Sequence, residues 1–242
     1  MCAMDCLSAC DVVILAGGRG TRLRSVVPDH PKAMAPVHDE PFVRYLIDQV
    51  YAFGARRIIL ALGFLADEVQ AYLARQTWHG LEIVTSVEPQ PLGTGGALRS
   101  VLPLVRAGTV LVMNGDTFSQ ADLCEFLGFH RAKGATASLL LTHVEEAGRY
   151  GVVETDADDQ IVAYHEKART GAGDISLGVY LMERSAIEAI PSGRPVSLEH
   201  EVFPPLCGLG LYGMRGTAPF IDIGTPESYA AAPAFFRAEA PS

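Results

Sequence analysis

Apolar runs and amphipathic stretches alternate through the first two thirds of the chain. Residues 12–16 form a short unbroken apolar run, the pattern of a central strand in a parallel sheet. Between residues 41 and 53, Phe42, Leu46, Ile47 and Val50 share one helical face, with Pro41 as a start signal and Gly54 as a stop. Residues 58–62 predict a second buried strand, and 65–74 a helix with Val69, Tyr72 and Leu73 inward. Residues 81–87 predict a third strand. The loop 88–96, EPQPLGTGG, then leads into a short helix that Pro103 ends. A fourth strand, 109–113, stops at Asn114-Gly115-Asp116. Ser119 is placed to cap the next helix, which carries Leu123, Phe126 and Leu127 and ends at Gly134, and 135–142 reads as a fifth strand.

The pattern changes after about residue 143. Residues 152–154 and 161–164 flank an acidic turn and predict a hairpin, and 175–182 a further strand. Ser197 opens a helix with Leu198, Val202 and Phe203 that Pro204-Pro205 closes. Residues 219–223 form a last strand, with Thr225 as cap and Pro226 in the first turn of a final helix. The fold class expected is α/β: one domain over residues 11–236 with a mostly parallel sheet, a β-rich excursion near 143–215, and a ten-residue extension in front.

Composition adds exclusions. With 49 % hydrophobic and 19 % charged residues the chain can bury a sizeable core, and no apolar stretch reaches the length of a membrane span. A formal net charge of −9 argues against nucleic acid as a partner. Against that background Arg19, Arg22, Arg24 and Lys32 outnumber Asp29 around Gly17, Gly18 and Gly20, directly after the first strand. Such a donor-rich, cationic turn suits a small polyphosphate. Cys2, Cys6 and Cys10 lie in the extension, and Cys124 and Cys207 are isolated. An odd count without a secretory signal predicts reduced thiols and a cytoplasmic location. The extension reads as a frayed tail rather than a metal site, although its spacing could line one helical face.

The glycine loop fits neither of two common phosphate motifs. Leu23 stands where a dinucleotide fingerprint needs its third glycine, and the Gly-Lys-Ser/Thr of a Walker loop is missing. However, L-x-G-G-x-G-T-R-L followed by Pro31-Lys32 resembles the opening signature of nucleotide-sugar pyrophosphorylases, that is, sugar-1-phosphate nucleotidyltransferases. The resemblance continues at Pro91-Leu92-Gly93-Thr94-Gly95-Gly96-Ala97, Asn114-Gly115-Asp116, Tyr150-Gly151-Val152-Val153, Glu166-Lys167 and Phe220-Ile221-Asp222-Ile223-Gly224-Thr225-Pro226, in family order. It is greatest toward the guanylyltransferases of D-glycero-α-D-manno-heptose 1-phosphate, with those of mannose 1-phosphate next.

That resemblance implies a Rossmann-like three-layer fold with a nucleotide-binding part over about 11–142 and a sugar-binding part over about 143–215. It implies transfer of a nucleoside monophosphate from a triphosphate to a sugar 1-phosphate, with release of pyrophosphate, for surface polysaccharide assembly. The triphosphate falls on Leu15, Ala16, Gly17, Gly18, Gly20, Thr21 and Arg22, with Gly93 and Thr94 on the base loop. Arg22, Lys32 and Lys167 become the catalytic cations, and Asn114, Gly151, Glu166, Lys167 and Ser176 the sugar contacts. Ser176-Leu177 replaces the usual Asn-Ala/Gly, shortening one contact and adding bulk.

The chemistry agrees with this assignment. A phosphate monoester is largely ionised at neutral pH, so the reaction needs positioning and charge neutralisation rather than a nucleophile-activating triad. Asp116 and Asp222 each follow an apolar strand, and two carboxylates with substrate oxygens suit Mg²⁺. Glu88 only accepts hydrogen bonds, which matches the adjacent N1–H and amino donors of guanine and opposes the carbonyls of uracil or thymine, hence GTP. The same transfer with another nucleotide (uridylyl or thymidylyl) or hexose is the nearest alternative, and a silent nucleotide- or sugar-binding subunit is the competing class. A homodimer is the default assembly. The chain ends soon after the last helix, so no second catalytic unit is expected.

Overall fold

The computed structural model describes residues 5–18, 20, 22–27, 30–148, 151–165 and 171–237. Strand β1 (Asp11–Ala16) leads into the glycine loop, and a short hairpin of β2 (Pro36–Val37) and β3 (Glu40–Pro41) precedes helix α1 (Phe42–Ala52). The alternation continues with β4 (Arg57–Leu62), α2 (Ala66–Leu73), β5 (Glu82–Val87), α3 (Gly93–Val101) and β6 (Thr109–Asn114). Next come β7 (Thr117–Ser119), α4 (Leu123–Lys133), β8 (Ala137–Val144), the hairpin β9 (Val152–Thr155) and β10 (Ile161–His165), and the long β11 (Gly173–Glu183). The remaining elements are α5 (Arg184–Glu188), β12 (Leu211–Arg215), β13 (Phe220–Asp222) and α6 (Pro226–Arg237).

β1 lies between β4 and β6, parallel to both, and β5 extends the parallel half beyond β4. β11 then runs antiparallel to β6, β8 and β9, carrying the β-rich segment back into the middle of the sheet. Alternate side chains of the central strands enter two cores. Val12 and Ile14 face α1, α4 and α6 through Leu46, Phe126 and Phe236, whereas Val13 meets Leu98 of α3 and Ile187 of α5. A fully apolar strand is therefore required wherever helices cover both faces, and the result is a three-layer α/β domain. Among the described residues no helix is long and apolar enough to cross a membrane.

Local details differ from the sequence reading in four places. Asp122, not Ser119, caps α4, accepting from the N–H groups of Cys124 and Glu125 at 2.8 and 3.0 Å. Ser119 instead belongs to β7, which pairs with β13. Pro103 does not end its helix outright, because a 3-10 turn, Leu102–Leu104, continues α3. The helix opened by Ser197 is a single π-helical turn, Leu198–Val202.

The largest correction concerns the extension, which is not a frayed tail over its described part. Leu7 is fully buried, its N–H bonds the Phe53 carbonyl at 3.1 Å, and Cys6 forms a disulfide with Cys124 on α4. The expectation of reduced thiols thus fails for this pair, while Cys10 and Cys207 are free. Sequence gives no hint of the partnership, because the two cysteines lie 118 residues apart. Closing so long a loop restricts the unfolded chain, so reduction is expected to cost about 2–4 kcal/mol, a fall of roughly 4–16 °C in Tm. Melting with and without dithiothreitol, and of Cys6→Ser, measures this; superimposable curves would contradict it.

Candidate active site

At the C-terminal edge of β1 and β6 the loops open a cleft of about 440 Å³, where open α/β sheets place their ligands. Gly18, Gly20, Arg22 and Lys32 line it on one side, Asn114, Asp116, Asp222 and Gly224 at its base, and Gly151, Tyr164, Ser176, Tyr180 and Glu199 beyond. Residues spread over most of the chain therefore meet at this cleft. Thr21, Glu166 and Lys167 lie outside the described residues.

At the base is a three-residue charge cluster. Lys32 Nζ donates to Asp116 Oδ2 and stands 3.8 Å from Asp222 Oδ1, with only 15 % of the lysine side chain exposed. The two aspartates are 106 positions apart in sequence, yet a β ladder fixes them together. Thr117 pairs with Asp222 across β7 and β13, and the Ile223 N–H bonds the Asp116 carbonyl at 2.9 Å. Asp222 Oδ1 also accepts from the Gly224 N–H at 2.7 Å, and Thr117 Oγ1 donates to Asp116 Oδ1 at 3.3 Å. Gly20 has φ +55°, and a Cβ there would come within 3.1 Å of Lys32 Cβ, so the glycine loop passes directly over the lysine.

The donor set fits a hard divalent cation. Asp116 and Asp222 offer oxygen only, and no group of three or more His, Cys, Asp or Glu is assembled among the described residues. Two carboxylates completed by water and phosphate oxygens are what Mg²⁺ takes, whereas zinc would ask for nitrogen or sulfur. The Lys32 ammonium stands against both aspartates.

Leu15 and Ala16 end β1 beside Asn114 and Gly115, and the Gly115 N–H bonds the Leu15 carbonyl at 2.9 Å. Next to them, Gly17 is needed for close approach: a Cβ would lie 2.8 Å from Glu88 Oε1. Glu88 thus packs its carboxylate against the start of the glycine loop, and its Oε2 accepts from the Leu92 N–H at 3.1 Å. Burial raises its pKa, partly offset by that hydrogen bond.

Gly93 and Thr94 lie where the loop 88–96 enters α3. Gly93 (φ +69°) packs on Val196, where a Cβ would be 2.5 Å from the carbonyl oxygen. Thr94 Oγ1 accepts from the Leu198 N–H at 2.9 Å and donates to Glu199 Oε2 at 3.1 Å. Both residues tie the loop 88–96 to residues 196–199.

On the opposite wall, Ser176 Oγ accepts from the Gly178 N–H at 3.2 Å beside a bulge in β11. Leu177 beside it also lines the cleft, with nearly all of the residue buried. The Asn114 Oδ1 atom is buried without a hydrogen-bond partner among the described residues. At Gly151 a Cβ would lie 2.9 Å from Tyr164 Cε1, so an aromatic ring backs that position. Burial pushes the hydroxyls of Tyr164 and Tyr180 well above their usual pKa, which keeps both as donors. Glu199 and His200 escaped sequence reading. The only local signal was the Ser197 cap in front of them, and a cap says nothing about what the following side chains face.

Comparison with known proteins shows the family of the chain. A family profile described as nucleotidyl transferase matches residues 11–239. The chain is 39 % identical to a mannose-1-phosphate guanylyltransferase of Mycobacterium tuberculosis over 90 % of its own length and 62 % of that protein's. It therefore spans less than two thirds of that relative. It is 34 % identical to a D-glycero-alpha-D-manno-heptose 1-phosphate guanylyltransferase of Aneurinibacillus thermoaerophilus over 90 % of this chain and 95 % of the other. The crystal structure of HddC from Yersinia pseudotuberculosis complexed with GMP-PN superimposes with a TM-score of 0.82 at 34 % identity, covering 93 % of this chain and 99 % of that one. With the profile matching residues 11–239 and the fold shared over 93 % of the chain, the chain belongs to the nucleotidyl transferase family.

Proposed function

We propose that the chain transfers a guanylyl group from GTP to a sugar 1-phosphate, giving a GDP-sugar and pyrophosphate. The observation that carries the reading is Lys32 held between Asp116 and Asp222 directly beneath the glycine loop. Relatives named as heptose and mannose 1-phosphate guanylyltransferases support these two sugars as substrates. A GDP-sugar of this kind serves glycosyl transfer in surface polysaccharide assembly.

An oxygen of the sugar phosphate attacks the α-phosphorus, the bond to the bridging oxygen breaks, and pyrophosphate leaves in line. The glycine loop presents backbone donors to the triphosphate, and Arg22 lies beside it on the cleft wall. The Lys32 ammonium neutralises charge that builds on the α-phosphate. Asp116 and Asp222 would hold Mg²⁺, which supplies further neutralisation of the phosphates when bound. Glu88 accepts the two guanine donors, and its partly desolvated setting strengthens them.

Glu88 gives a pH-dependent expectation. Raised by burial, its carboxyl protonates above the usual range, so KM for GTP should climb as pH falls into that range while KM for the sugar phosphate stays level. The same shift opposes folding: the penalty is full above the folded pKa and vanishes below the unfolded one. Glu88→Gln should therefore keep or slightly raise Tm while cutting GTP preference over UTP by roughly 10–100-fold. Unchanged selectivity in steady-state assays would remove Glu88 from base recognition.

The reaction itself is tested by ³¹P NMR of the protein with GTP, Mg²⁺ and either sugar phosphate. Pyrophosphate and a new diphosphate ester should appear together. Their absence with both sugars would leave a binding subunit as the better account.

A further inference from the structure

Glu199 stands on the cleft wall with Ser176 and Tyr180, and its carboxylate is held with all its protein donors in place. The Tyr180 hydroxyl donates to Oε1 at 3.0 Å, and the Thr94 and Ser197 hydroxyls donate to Oε2 at 3.1 Å each. The direction of these bonds is forced. Thr94 Oγ1 already accepts from the Leu198 N–H at 2.9 Å and Ser197 Oγ from the His200 N–H at 3.2 Å, so each hydroxyl turns its single proton to Glu199. Main-chain bonds brace the segment, with the Val196 N–H on the Leu92 carbonyl and the Gly95 and Gly96 N–H groups on the Val196 carbonyl, at 2.8–3.1 Å.

Three neutral donors and, among the described residues, no cation therefore surround a carboxylate that borders a phosphate-binding cleft. Next to the phosphates such a charge would repel them. Its use must come from uncharged donors, and a carboxylate with about four acceptor positions has one left. Sugar hydroxyls are such donors, and a charge-assisted bond to a fixed acceptor discriminates strongly against an analogue lacking the hydroxyl.

We infer that Glu199 is a specificity-determining residue for the sugar, accepting one ring hydroxyl of the sugar 1-phosphate on its remaining acceptor position. The inference rests on the transferase reading above and adds a sugar contact to it. Glu199 also links the base loop, through Thr94, to the sugar wall, through Tyr180, which fixes the acceptor relative to the triphosphate.

The test compares wild type with Glu199→Gln, using GTP with mannose 1-phosphate and its 2-, 3-, 4- and 6-deoxy analogues. In wild type one analogue should lose roughly 10–100-fold in kcat/KM against the parent sugar. In Glu199→Gln the parent should fall by a comparable factor, the same analogue should change less than about threefold, and KM for GTP should stay within about threefold. Glu199→Asp, which withdraws the carboxylate by one methylene, should give the same collapse if the glutamine variant does not fold. Calorimetric binding of the same sugar series asks the question without turnover. A deoxy profile that is flat in wild type, or identical in wild type and variants, overturns the assignment. A Glu199-dependent binding profile without pyrophosphate release upholds it and overturns the transferase reading alone.

Discussion

Replacing Lys32 with methionine should lower kcat by about 10²–10³-fold or more, with a smaller effect on KM for either substrate. The ammonium is lodged at the base of the cleft, beneath the glycine loop to which the proposed function assigns the triphosphate. Its charge matters most where negative charge grows during transfer, which is why the loss should fall on kcat. The same substitution removes the ammonium that contacts both Asp116 and Asp222. Two carboxylates left side by side repel one another, so the variant should bind Mn²⁺ more tightly in the absence of nucleotide. Rapid-mix kinetics and a direct Mn²⁺ titration separate the two effects. Loss of activity with weakened Mn²⁺ binding would indicate a collapsed site rather than a missing catalyst.

Asp222→Asn should cost a similar 10²–10³-fold in rate, with at least tenfold more Mg²⁺ needed for half-maximal activity. The asparagine keeps an oxygen to accept from the Gly224 N–H, a bond of 2.7 Å in the native chain, so the turn between β13 and α6 should survive. Only the charge is lost, which is what makes the substitution informative. A magnesium titration at saturating GTP reads it directly. If the rate fell with the Mg²⁺ requirement unchanged, Asp222 would be acting on Lys32 alone.

The layers of this fold were legible because the central strands are apolar on both faces and the helices on one. Val12, Val13 and Ile14 announce a buried parallel strand in three letters, and Phe42, Leu46, Ile47 and Val50 mark the covering face of α1. The charge cluster was legible only through motif resemblance. Nothing in local sequence pairs Asp116 with Asp222, and the β7–β13 ladder that joins them is too short for periodicity to reveal. Long-range covalent and side-chain partnerships stayed hidden for the same reason, as with Cys6 and Cys124 or Thr94 and Glu199. Gly93 has a packing role that its motif does not announce. Its glycine was assigned to a nucleotide, and in the structure it lets the base loop close on Val196.

The account stands most directly on one comparison: initial rates of pyrophosphate release with GTP, UTP, dTTP, ATP and CTP, each paired with mannose 1-phosphate and D-glycero-α-D-manno-heptose 1-phosphate in the presence of Mg²⁺. GTP should exceed every other nucleotide by at least tenfold in kcat/KM with one or both sugars, and Lys32→Met should abolish release in the same wells. Release that is indifferent to the base, or undiminished in Lys32→Met, would contradict a guanylyl transfer carried out at the Lys32–Asp116–Asp222 cluster.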